Sequence, residues 1–197
     1  MSIVDRAKNI ILTPKTEWPV VAGEEPNVGQ IITGYVLPLA LIPAVASLIG
    51  WGIVGTAFVT SFTWGLAMAL TSFLTAVAGV YISAFVVDAL APNFGSQKGL
   101  GRAVQLVAYS HTPFWVCGIV LILPFLSWLV WLAGLYTLYL MYLGLPHTMK
   151  TPQDKVVVYL IVSIVVVLVV YFVLTAILTA IFFGIFGLSA MSVMRGM

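Results

Sequence analysis

Residues 156–187 read VVVYLIVSIVVVLVVYFVLTAILTAIFFGIFG, a run without a single charge. In water so much Val and Ile would suggest a strand. The uninterrupted length favours a membrane helix instead, because about 20 apolar residues are needed to cross a hydrocarbon core. The run exceeds that need, so it must tilt or protrude. Working outward from it, four more apolar runs cover residues 30–50, 63–91, 103–123 and 125–145. Pro38 and Pro43 interrupt the first and Pro113 the third. Each removes a helix hydrogen bond, so kinks are expected there. The expected fold is all-α: a polytopic bundle of five transmembrane helices.

Composition agrees with that reading. The chain is 62% hydrophobic and 7% charged, where a soluble domain carries about a quarter charged residues. Lipid must therefore solvate most of its surface. A net charge of +2 makes nucleic acid an unsuitable partner. The single cysteine, Cys117, allows no disulfide within the chain and reads as a small apolar side chain.

The bases encode an orientation. Arg6, Lys8 and Lys15 precede the first run, Lys98 and Arg102 separate the second from the third, and Lys150 and Lys155 separate the fourth from the fifth. Only Arg195 falls on the other side. Basic loops stay in the cytoplasm, so the N-terminus is expected inside and the C-terminus outside, in a bacterial cytoplasmic (inner) membrane. Trp51, Trp64 and Trp128 flank the uncharged loops, where an outer aromatic belt would lie. The expected organisation is a cytoplasmic helix and linker over 1–28, a membrane domain over 29–187 and an external tail over 188–197.

Residues 2–12 carry Ile3, Val4, Ala7, Ile10 and Ile11 on one helical stripe, with Asp5, Arg6, Lys8 and Asn9 opposite. Ser2 with Asp5 makes an N-terminal cap, and Pro14 stops the helix. Polar residues among these positions argue against a cleaved signal. Such a helix would either lie in the headgroup plane, Arg6 and Lys8 toward anionic lipid, or dock on the bundle. Residues 13–28 read as a polar linker. Stripes of small residues, Ser72 with Ala76, Gly79 with Ser83, and Ala176, Ala180 and Gly184, are expected to let helices approach.

Few residues offer chemistry. Asp88 closes the second run near its cytoplasmic end, either paired with Lys98 or Arg102 or serving as a proton or cation ligand. His111 lies deeper, about 13 Å beyond Arg102 by helical rise. Pro113 cannot donate to the Tyr109 carbonyl, which leaves His111, that carbonyl, Ser110 and Thr112 clustered as a kink or a hydrated relay. Glu24, Glu25 and His147 belong to the cytoplasmic side and with Asp88 would form an acidic site there. No metal motif, Walker loop or nucleophile elbow is present in the sequence, and neither a metal, a cofactor nor an enzymatic reaction is expected.

Three stretches resemble the bacterial branch of the Yip1 family. The first combines the amphipathic helix, Pro14 and Trp18 in P-x-x-x-W, Glu25–Pro26, and Tyr35-Val-Leu-Pro38-Leu39. The second is A-Y-S-H-T-P, Ala108 to Pro113, with Ala108 in place of the usual small or aromatic residue. The third is G-L-Y-x-L-Y-L-x-Y-L-G-L-P, Gly134 to Pro146, followed by Met149–Lys150–Thr151–Pro152. The resemblance implies a helical bundle without known enzyme activity. Eukaryotic relatives associate with Rab GTPases, but the D-L-Y-G-P element of those relatives is missing here.

The expected function is a non-enzymatic scaffold or adaptor acting through helix and lipid contacts, with membrane lipids, a second copy or other membrane proteins as partners. The alternative is a small proton- or cation-linked transporter or channel using Asp88 and His111.

Overall fold

The computed structural model describes residues 1–55 and 61–185, and these are helical apart from short turns. The C-terminal tail and Arg195 lie outside the described residues. Five helical stretches are long and apolar enough to cross a membrane: Val28–Val54, Phe62–Phe94, Leu100–Ile122, Pro124–Thr148 and Val156–Ile181. We call them the first to fifth spans.

The first span accommodates its prolines by changing helix type. Residues Ile32–Val36 form a π-helical turn, and the Leu37 N–H bonds to the Ile32 carbonyl, five residues back. The turn sits immediately before Pro38, where a regular ladder would miss a donor. Pro43 stays inside the helix that follows.

The second and fifth spans meet at Gly79. A Cβ there would lie 2.9 Å from Cε1 of Tyr171, so only glycine admits that ring. Gly79 and Ser83 are both buried, and this small-residue stripe serves a helix contact. The stripe expected on the fifth span does not: Ala176, Ala180 and Gly184 are exposed, and no described atom lies within 4 Å of a Cβ at Gly184. They lie away from the packed face of that span.

One end of the bundle gathers the charged segments. Gln97 N–H donates to the Met149 carbonyl at 2.7 Å, and the Ser96 hydroxyl donates to Thr151 Oγ1 at 2.9 Å. These bonds join the turn between the second and third spans to the turn between the fourth and fifth. Arg102 ties in the N-terminal segment through the carbonyls of Ala22 at 3.0 Å and Glu24 at 2.7 Å.

That segment is more ordered than a linker. Helix α1, Ile3–Leu12, is capped by Ser2, whose hydroxyl accepts from the Asp5 N–H at 3.1 Å. Helix α2, Pro14–Gly23, replaces the linker expected over 13–28. Pro14 occupies the first turn, where no donor is needed. Trp18 and Val21 are fully buried, and their burial outweighs the donor that Pro19 lacks inside so short a helix.

The two helices form a hairpin docked on the bundle. Trp18 packs against Gly144 of the fourth span, where a Cβ would lie 2.8 Å from the indole Cζ2. The Tyr136 hydroxyl donates to the Ile11 carbonyl at 2.6 Å. Tyr136 is about 18 Å from the charged end of its span by helical rise, so the turn of the hairpin lies deeper than its ends. The turn's polar backbone is satisfied: Thr13 N–H donates to the Asn9 carbonyl at 2.8 Å, and the Thr13 carbonyl accepts from Thr16 and Glu17. Such closure is what backbone needs away from water.

Candidate functional site

Arg6 is the centre of the charged end. Of the two arrangements open to α1, docking on the bundle is the one found: Arg6 is 6% exposed, on the same face as Ala7 and Ile10. Its Nη1 meets Glu17 Oε1 at 2.5 Å, and Nη2 donates to the Glu24 carboxylate. The guanidinium carbon lies 5.4 Å from the centroid of the Tyr109 ring. A cation over an aromatic face and between two carboxylates can tolerate burial that a lone arginine could not.

Tyr109 meets Tyr35 edge to face, with ring centroids 4.8 Å apart. The Thr112 hydroxyl donates to the Tyr109 carbonyl at 2.7 Å. This is the carbonyl that Pro113 leaves without a backbone donor, so the kink carries its own replacement. With its one proton committed, Thr112 Oγ1 accepts from the Tyr35 hydroxyl at 2.7 Å. The first span, the third span and α1 are thereby linked through polar groups.

These residues floor a half-open cavity of about 340 Å³, lined by Ser2, Arg6, Glu24, Glu25, Asn27, Gln30, Gly34, Tyr35, Gln105 and Tyr109 among others. Arg6, Tyr35, Gln105 and Tyr109 are buried, whereas Glu25, Asn27 and Gln30 form an exposed rim. Tyr109 is 7% exposed, and its hydroxyl has no hydrogen bond to any described residue.

The residues singled out from sequence divide. Glu24, Glu25 and Tyr109 line this cavity; Asp88, Ser110, His111 and His147 do not. Asp88 is buried, and its Oδ1 accepts from the Gly99 N–H at 2.6 Å, just ahead of the third span. No ion pair with Lys98 or Arg102 is formed among the described residues. The Tyr159 hydroxyl on the neighbouring Val87 carbonyl completes that junction. His111 Nδ1 lies 2.8 Å from the Val107 carbonyl, one turn back on its own helix. A carbonyl only accepts, so the ring proton sits on Nδ1. Ser110 is fully buried, without a partner for its hydroxyl among the described residues. His147 is half-buried in the last turn of the fourth span. The expected acidic site is therefore split, because Asp88 is committed to the start of the third span. Among the described residues no three of His, Cys, Asp and Glu come close enough to hold a metal ion.

Sequence reading passed over Arg6, Glu17 and Tyr35 as site residues. A signal existed: Arg6 falls three residues after Ile3 and four before Ile10, on the edge of the apolar stripe. A base at that register is placed to face inward as readily as outward.

The three stretches that suggested a resemblance converge here. Trp18 and Tyr35 come from the first, Tyr109 and Thr112 from the second, Tyr136 and Gly144 from the third. A sequence profile described as the Yip1 domain matches residues 8–177. The chain belongs to the Yip1 family. It is an integral membrane protein of that family. Curated relatives are the inner membrane protein YohC of Escherichia coli strain K12 and that of Escherichia coli O6:H1 strain CFT073. Each is 29% identical over 117 residues, covering 56% of this chain. The chain spans 60% of the length of these curated relatives. No solved structure matches this Yip1 chain.

Proposed function

We propose that this Yip1 protein is a non-enzymatic scaffold or adaptor of a bacterial inner membrane, with its charged end in the cytoplasm. The observation that supports it is how the ionisable groups are used. Arg6 is paired with Glu17 and Glu24, Asp88 holds the Gly99 amide, and His111 is folded onto its own helix. Groups spent on joining helices position surfaces for partners; they do not form a continuous path for ions. The orientation rests on Arg6, Lys8, Lys15, Lys98, Arg102, Lys150 and Lys155, all in segments on one side of the spans by chain order. That the relatives are inner membrane proteins supports the inner membrane.

The test joins two measurements on the full chain. A photoreactive residue placed at exposed Val4 or Phe172 should give discrete adducts with a second copy or another membrane protein. Proteoliposomes should pass protons and divalent cations no faster than empty vesicles. Flux that disappears in Asp88→Asn, without adducts, would overturn the scaffold reading in favour of transport.

A further inference from the structure

The cavity beside Arg6 is not explained by helix joining. Its lining contains a largely buried tyrosine, Tyr109, whose hydroxyl has no hydrogen bond to any described residue, and a rim open to the outside. We propose that it binds the headgroup of a zwitterionic aminophospholipid, an ethanolamine phosphodiester. The idea rests on the membrane reading above and names a ligand for this one site.

Charge selects the class. Arg6 contributes one positive charge against Glu17 and Glu24, which leaves the trio at −1, and Glu25 on the rim is offset by the Met1 ammonium in the lining, so the local sum stays at −1. Arg102 is turned to the carbonyls of Ala22 and Glu24 and does not line the cavity. A bare anion would be repelled by that sum. A bare ammonium would fit the rim but leave the Tyr109 hydroxyl and the uncommitted N–H groups of Arg6 unmet. Guanidinium has five donors, and Glu17 and Glu24 take two. A phosphodiester bearing an ammonium answers both ends: phosphate oxygens at the floor against Arg6 and Tyr109, ammonium at the rim against Glu25 and Glu24.

Position selects the source. The lining comes from the charged ends of the first and third spans, with Gln30 in the opening turn of the first and Tyr35 and Tyr109 about two turns in. The rim lies where headgroups meet hydrocarbon, and the floor lies below it. Gly34 has no atom within 4 Å of a Cβ position, so the cavity opens past it along the flank of the first span, where acyl chains run. The volume falls at the small end of ligand pockets, which start near about 300 Å³, enough for a headgroup with its tails outside.

The experiment uses the full chain in dodecyl maltoside, titrated with dihexanoyl phosphatidylethanolamine, dihexanoyl phosphatidylglycerol and soluble glycerophosphoethanolamine. The ethanolamine lipid should bind about tenfold or more tighter than the glycerol lipid, a factor set by the rim charges. Gly34→Leu, which fills the cavity, and Glu25→Gln, an exposed change, should each weaken it by about tenfold with unchanged melting temperature. Equal or tighter binding of the glycerol lipid would overturn the zwitterion assignment. Binding unaffected by Gly34→Leu would overturn the site. Glycerophosphoethanolamine binding as tightly as the lipid would overturn the membrane source. The titration reads neither adducts nor flux, so it can fail while the scaffold reading stands, and the reverse.

Discussion

Arg6 and Tyr109 belong to opposite ends of the sequence logic, one on a polar N-terminal helix and one inside an apolar span, and the guanidinium carbon lies 5.4 Å from the tyrosine ring centroid. Through this pair the N-terminal hairpin becomes part of the membrane domain. Its strength comes from Glu17 behind it: the Arg6 and Glu17 side chains are both more than nine-tenths buried at their contact.

Replacing Arg6 with Leu should release the hairpin. Glu17 would be left buried without its cation, and breaking such a pair costs about 3–5 kcal/mol. The double change Arg6→Leu with Glu17→Leu should recover most of that loss. Melting in detergent and protease access to Lys15 measure both. A single variant as stable as the double would show that the pair carries no such cost.

Trp18 tests the same dock through packing. Trp18→Ala should cost about 3–5 kcal/mol as a large buried ring is lost. Gly144→Val should cost about 1–3 kcal/mol by overpacking the same spot. Ile10→Asp should undock α1 while all five spans remain inserted. Failure of insertion in that variant would mean that the helix directs the chain to the membrane.

Asp88→Ala should destabilise the junction by about 1–3 kcal/mol, because the Gly99 amide loses its acceptor. Asp88→Asn retains an acceptor oxygen and should stay near the parent. Hydrogen exchange at Gly99 and Leu100 reports the difference directly. Similar losses in both variants would point to a need for the charge itself.

Topology is checked with cysteine labelling at positions 98, 150 and 55. The first two should be reached only from the cytoplasm and the third only from outside. External labelling at position 98 would end the five-span assignment.

Acid should loosen the start of α1 only under strongly acidic conditions. The Ser2 hydroxyl bonded to the Asp5 carboxylate holds that group below its ordinary value of 3.8. A lowered value means that the stabilisation is complete above the ordinary range and disappears as pH falls through the lowered one. Amide exchange in the first turn should be flat across neutral pH, and Asp5→Asn should remove the acid step.

The five spans were legible because lipid demands long apolar helices and little else, so runs such as 156–187 decide themselves. The first-turn cap at Ser2 was legible for a local reason as well. Helix α2 was not, since Pro14, Pro19 and Glu17 read as polar punctuation until Trp18 and Val21 find the bundle. Arg6 was misread because amphipathicity separates apolar from charged residues, whereas here a charge is buried by partners distant in sequence. The same limit explains Asp88: its acceptor role depends on the Gly99 backbone, which has no side chain to announce it.

The hairpin also imposes an order in time. It is made before the spans, yet the surfaces that receive it, around Tyr109, Tyr136 and Gly144, are made more than eighty residues later. At about 5–20 residues per second of synthesis, the opening segment waits on the order of ten seconds outside its berth. During that interval Ile10, Trp18 and the face of Arg6 that will meet Tyr109 are turned to the ribosome exit, water and the lipid surface. A segment made before the five spans is thus seated only once the fourth of them exists.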